Sequence, residues 1–159
     1  MKVNTTRFGE LDVPDTLIIR MTKPVLGFEQ LKRFVIVETA DFEPFKWFQA
    51  VDDPQVAFVI VNPLLFFPEY GVEVNPREID ELRVSDVRDV DTYAIVTIPQ
   101  DFTRMTANLQ GPILVNTRSN LAKQLVLVNS TYRIRHLMLP GGRPEPVHAE
   151  AEVKEPVGV

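Results

Sequence analysis

Apolar residues in this chain fall in runs of about four to eight, rich in Val, Ile and Phe, and separated by polar or proline-bearing breaks. Runs of that length read as strands rather than helices. The pattern predicts strands at residues 2–6, 16–20, 34–38, 46–50, 56–61, 93–98, 113–116 and 123–128. Residues 34–37 and 56–61 are apolar at successive positions, so both faces of those two strands are expected to be covered. Asp52, Asp53 and Pro54 form a turn signal between two of the strands. Two short helices fit the pattern. Residues 27–33 would place Phe28 and Leu31 inward. Residues 75–83 carry Asn75 at the cap, Pro76 at the first helical position and Glu78 placed to reach back, with Ile79 and Leu82 facing the core. The fold class that follows is mainly β: an antiparallel, barrel-like or sandwich arrangement of short strands with one or two short helices.

Composition changes near residue 140. Pro140, Pro144, Pro146 and Pro156 share the last stretch with Gly141, Gly142, Gly158 and several glutamates, and valine is the largest apolar residue left. Such a segment buries too little surface to offset its ordering entropy. The expected organisation is therefore one β domain over residues 1–139 and a Pro/Glu-rich disordered tail over 140–159. The net charge of −5 argues against direct nucleic-acid binding, which needs a basic face, and permits a basic protein partner. No apolar run is long enough to cross a bilayer, and the first residues lack the apolar core of a signal peptide. A cytoplasmic monomer is the expectation.

Catalytic chemistry finds little to work with. There is no cysteine, so thiolate catalysis and disulfides are excluded. His136 and His148 each lack a second ligand at metal-binding spacing, and His136 reads as a surface histidine. Asp52 and Asp53 are explained by their turn, and Ser85, Ser119 and Ser130 lack a nucleophile context. No enzyme activity, cofactor or metal is expected. Two features favour binding instead. Between Glu78 and Asp91, six acids (Glu78, Asp80, Glu81, Asp86, Asp89, Asp91) face Arg83 and Arg88, which would suit a basic partner unless the run is simply a solvated face. Leu64, Leu65, Phe66, Phe67 and Tyr70 crowd five large apolar side chains around Pro68 and Glu69. Most should fill the core, while Phe67 or Tyr70 could line a groove for an amphipathic helix. Glu69 and Tyr70, the more polar members, are expected to be exposed.

The most distinctive segment is Thr106, Ala107, Asn108, Leu109, Gln110, Gly111, Pro112 and Ile113. Gly111 permits a sharp or left-handed backbone, and Pro112 keeps it extended before a buried strand. None of these residues is a good nucleophile or ligand, so the segment reads as architecture that displays polar side chains. It closely resembles the signature of the flagellar assembly factor FliW family. Other blocks agree in the same order: Gly27-Phe28-Glu29; Pro44-Phe45 with Gln49; Ala57-Phe58-Val59 with Asn62-Pro63; Phe66-Phe67 with Tyr70; and Lys123-Gln124-Leu125-Val126-Leu127 with Tyr132. The resemblance covers roughly residues 1–139.

The resemblance implies a non-enzymatic, β-rich regulator of flagellin production. Members of the family bind newly made flagellin and also bind the translational repressor CsrA. Binding antagonises CsrA and frees flagellin mRNA for translation. The alternative is a dedicated flagellin chaperone that does not bind CsrA. Carried over residue by residue, the matching blocks nominate Phe66, Phe67, Glu69, Tyr70, Thr106, Asn108, Leu109 and Gln110 as partner-binding. Glu69, Tyr70 and Asn108 are expected to be exposed contacts, and Phe67 and Leu109 to combine packing with contact.

Overall fold

The protein is represented by a computed structural model that describes residues 1–128 and 131–139. The expected tail, with His148, and the 129–130 step that includes Ser130 lie outside the described residues. Among the described residues eleven strands form: β1 Lys2–Thr5, β2 Gly9–Asp12, β3 Ile19–Lys23, β4 Arg33–Val37, β5 Lys46–Ala50, β6 Ala57–Val61, β7 Val90–Thr97, β8 Thr106–Ala107, β9 Ile113–Asn116, β10 Leu121–Gln124 and β11 His136–Leu137. β1 and β2 make a separate hairpin. The others join one sheet in the order β11-β8-β7-β6-β5-β4-β3-β10-β9, and a further pairing of β9 with β7 closes seven of them into a barrel. Every pairing in the ring is antiparallel except β10 with β3. Closure removes the exposed edges that an open sheet would present.

The doubly apolar runs behave as their pattern predicts. From β6, Phe58 and Ile60 point into the barrel beside Phe34, Phe48, Tyr93 and Ile113. The alternate residues Ala57, Val59 and Val61 point outward, yet are buried beneath a second layer that includes Tyr70, Leu109 and Met138. In β4, Phe34 points inward and stacks on Phe48 at 4.3 Å, while Val35 is covered by the β1–β2 hairpin through Val3 and Val13. Side chains this fully buried contribute roughly 1.5–3 kcal/mol each. Gln49 sits in an outward position but is fully buried. Its amide donates to the carbonyls of Ala50 and Val56 and so braces the turn that Asp52 and Asp53 begin. Those two aspartates take local partners: Asp52 pairs with Arg33, and Asp53 accepts from the Gln55 backbone.

Only one of the two expected helices exists, and it is short. α1 spans Pro76–Asp80, with the Asn75 side chain accepting from the Arg77 backbone. It continues as a turn that buries Leu82 completely. In place of a helix over 27–33, two consecutive turns precede β4, with Gly27 at φ +89° and the Leu31 amide bonded to the Phe28 carbonyl. Phe28 and Leu31 still pack inward, because two turns place them on the same side as a helix would. The third strand begins at Ile19 rather than residue 16, since Asp15–Leu17 is a 3-10 turn that leaves Leu17 exposed.

Candidate functional site

The signature segment is a detour between two strands that share one partner. β8 and β9 both run antiparallel to β7, β8 beside Val96 and Thr97 and β9 beside Val90 to Tyr93. Residues 108–112 bulge out between them. Several polar groups in the bulge are bonded. The Asn108 amide donates to the Ile95 carbonyl at 2.8 Å, and the Asn108 side chain accepts from the Gly111 amide at 2.8 Å. Gly111 is not left-handed, contrary to one expectation. Its constraint is close approach: a Cβ there would lie 2.9 Å from Gln124 Nε2 and 3.0 Å from Asn108 Nδ2, so those amide tips would have to shift. Gln124 is the clamp. Its Nε2 donates to the Gly111 carbonyl at 3.0 Å, and its Oε1 accepts from the Leu26 amide at 2.8 Å. One buried side chain thus ties the bulge to the loop that follows β3.

These loops form one end of the barrel, where β3, β7 and β10 finish and β6 and β9 begin. Between them lies a groove of about 530 Å³. Phe28, Phe58 and Ile95 form its floor, Asn108, Gln110 and Gln124 contribute polar wall, and Leu26, Val126 and Ile134 stand around it. Those last three are 66%, 55% and 60% exposed. Keeping large aliphatic side chains in water is unfavourable, and a cluster of them beside a concave apolar floor is the arrangement that receives the apolar face of a helix. The sequence missed Leu26 and Ile134. Both lie outside regular strands, where no periodicity marks them as exposed.

The nominated contact residues divide sharply. Glu69 is exposed, as expected, and Asn108 and Gln110 are half-buried on the groove wall. Tyr70 is not exposed: it is buried, and its hydroxyl donates to the Leu109 carbonyl at 2.7 Å. Burial holds its phenol well above the ordinary tyrosine range, with the neighbouring Tyr132 adding to the effect. Leu109 is fully buried and Thr106 is buried in β8, so Leu109 packs without surface contact. Phe66 stacks on Phe45, and Phe67 meets His136 edge-on at 5.0 Å. His136 is accordingly half-buried rather than a surface residue, and burial, then nearby Arg133, lowers its pKa. The exposed members of that apolar cluster are Leu64 and Leu65. Polarity misled the reading here, because a tyrosine hydroxyl with one buried acceptor is satisfied inside.

Half of the acidic run is ion-paired within the molecule. Glu81 meets the buried Lys123 at 2.6 Å, Asp86 pairs with Arg88, and Asp89 with Arg118. The Lys123 ammonium also donates to the Glu78 carbonyl at 2.6 Å, fastening α1 to the barrel. Glu78 and Asp80 are exposed without an ion pair among the described residues. The run is therefore a solvated face in which half of the acids form ion pairs within the molecule, while Glu78, Asp80 and Asp91 form none among the described residues. Among the described residues no group of three or more His, Asp or Glu could hold a metal ion, and no helix is long and apolar enough to cross a membrane.

Comparison with known proteins gives a consistent result. The family model described as FliW protein matches residues 2–138. The flagellar assembly factor FliW of Alkaliphilus metalliredigens is 38% identical over 140 residues, covering 87% of this chain and 86% of that protein. The flagellar assembly factor FliW of Moorella thermoacetica is 42% identical over 137 residues, covering 86% and 87% respectively. A crystal structure of the flagellar assembly factor FliW superposes with a TM-score of 0.83 at 31% identity, over 90% of this chain and all of that one.

Proposed function

The chain belongs to the FliW family of flagellar assembly factors, and from that premise we propose that it is a non-enzymatic cytoplasmic protein that binds flagellin and, by also binding CsrA, relieves repression of flagellin mRNA. The observation that carries the flagellin half is the apolar groove at the end of the barrel, with Leu26, Val126 and Ile134 exposed around it. Unpolymerised flagellin presents amphipathic helices whose apolar faces are covered only in the filament. A groove with an aromatic and aliphatic floor and amide-bearing walls accepts such a face by inserting side chains spaced at i, i+3 and i+4. The Gln124 clamp ties two loops of the groove to each other before any partner arrives, which reduces the ordering cost of binding.

The CsrA half is supported by charge. CsrA has basic RNA-binding surfaces, and a partner with a net charge of −5 attracts them and repels RNA from their vicinity. A switch requires that flagellin and CsrA weaken each other's binding. The test is calorimetric titration of the chain with monomeric flagellin, repeated after saturation with CsrA from the same bacterium. Binding of both, each weakening the other, is expected. Binding of flagellin alone would reduce the function to a chaperone, and binding of neither would overturn the proposal.

A further inference from the structure

The opposite end of the barrel has a different chemistry. There β5 and β7 begin and β4 and β6 finish, around a groove of about 540 Å³. Glu38, Glu43 and Asp91 supply three carboxylates to its lining, against one cation, Lys46. That cation is already committed: Lys46 Nζ lies 2.7 Å from Glu38, and this hydrogen bond raises its pKa. Glu43 and Asp91 are exposed and have no ion pair among the described residues. The groove therefore carries uncompensated negative charge.

Its apolar part is fixed in place. Leu64 and Leu65, 49% and 60% exposed, sit on a 3-10 turn at Pro63–Leu65. Asn62 caps that turn by accepting from the Leu64 amide at 3.0 Å. The Phe66 and Phe67 amides both bond to the Pro63 carbonyl. Pro63 is buried and Phe66 stacks on Phe45, so the turn cannot roll its leucines inward without breaking these contacts. Two leucines held in water beside unpaired carboxylates make a surface that is both sticky and charged.

We infer that this end docks a basic amphipathic segment of a partner protein, with Lys or Arg side chains meeting Glu43 and Asp91 and apolar side chains covering Leu64 and Leu65. Charge complementarity selects this occupant: nucleic acid and anionic lipid would be repelled, and an acidic helix likewise. The inference rests on the reading that the chain has a second, basic partner, and assigns that partner a surface apart from the apolar groove.

The test uses the full chain and a fluorescently labelled amphipathic peptide of Lys and Leu, with affinity read by anisotropy. Glu43→Lys with Asp91→Lys should weaken binding by roughly tenfold or more, and Leu64→Ser with Leu65→Ser should do the same. Glu73→Lys with Asp80→Lys makes the same change in net charge on another exposed face and should cost less than about threefold. Val126→Asp, at the other end, should not weaken the peptide. Failure of the peptide to bind, equal weakening by both charge reversals, or indifference to the leucine changes would overturn the inference. Flagellin titration of the Glu43→Lys, Asp91→Lys variant separates the two readings. Undiminished flagellin binding is expected, and loss of flagellin there would show one site rather than two.

Discussion

The two ends of the barrel are built from the same strands and differ in what their loops bring. At one end, the loop after β3, the signature bulge and the segment after β10 enclose an apolar groove whose polar groups are bonded to one another. At the other, the 62–67 turn and the starts of β5 and β7 enclose a groove where carboxylates outnumber the cation. The interior of this barrel is filled by packed side chains, which leaves its rims to differ. The difference shows how one small barrel can present two surface chemistries without disturbing its core.

The largest test breaks both ends together. Tyr70 follows the leucine turn and bonds the signature bulge through Leu109, so it touches the supports of each. Tyr70→Ala removes a buried aromatic and leaves the Leu109 carbonyl unsatisfied, and should cost ~3–5 kcal/mol in chemical denaturation. Loss below about 1 kcal/mol would show that the outer layer supports neither rim.

Gln124→Leu sharpens the comparison by acting at one end. It removes the acceptor for Leu26 and the donor to Gly111, and should cost roughly 1–3 kcal/mol. Flagellin binding should weaken while the Lys/Leu peptide, docked at the other end, binds as before. Equal loss of both would make the ends one cooperative unit.

Glu81→Gln touches the lining of neither groove and gives a pH signature. The Lys123 hydrogen bond lowers the Glu81 pKa below its ordinary 4.5. A lowered carboxyl pKa contributes stability above that ordinary value and loses it as pH falls through the folded value. The wild type should exceed Glu81→Gln by about 1–2 kcal/mol at neutral pH, discounted because Glu81 is partly solvated, and the gap should close in acid. A gap independent of pH would assign Lys123 no electrostatic part in holding α1. Val126→Asp is the mildest for stability, within about 0.5 kcal/mol because the side chain is exposed, yet it should weaken flagellin by roughly tenfold or more.

How far these features could be read from the chain depends on where their signal lies. Strands covered on both faces, such as β6, announce themselves by unbroken apolar runs, and the Asn75-Pro76 cap is local chemistry. β2, with Glu10 and Asp12, offers a single apolar residue, Leu11, too little for a pattern, and β8 and β11 are two residues each. The signature segment was legible as architecture. Its reason was not, because the constraint on Gly111 comes from Gln124, thirteen positions away. Lys123 was hidden for a similar cause: a lysine in a strand reads as exposed until Glu81 and the Glu78 carbonyl arrive from another element. Exposure of Leu64 and Leu65 and burial of Tyr70 invert what polarity alone suggests. Local hydrogen bonds of the 62–67 turn decide the first, and the tertiary bond of Tyr70 to Leu109 the second.

The central claim is that flagellin occupies the apolar end. Hydrogen exchange read by mass spectrometry, on the chain alone and saturated with monomeric flagellin, tests it most directly. The account predicts slowed exchange in residues 24–28 and 124–127, with residues 62–65 and 90–93 at their free rates. Protection of 62–65 and 90–93 while 124–127 exchanges unchanged would contradict it.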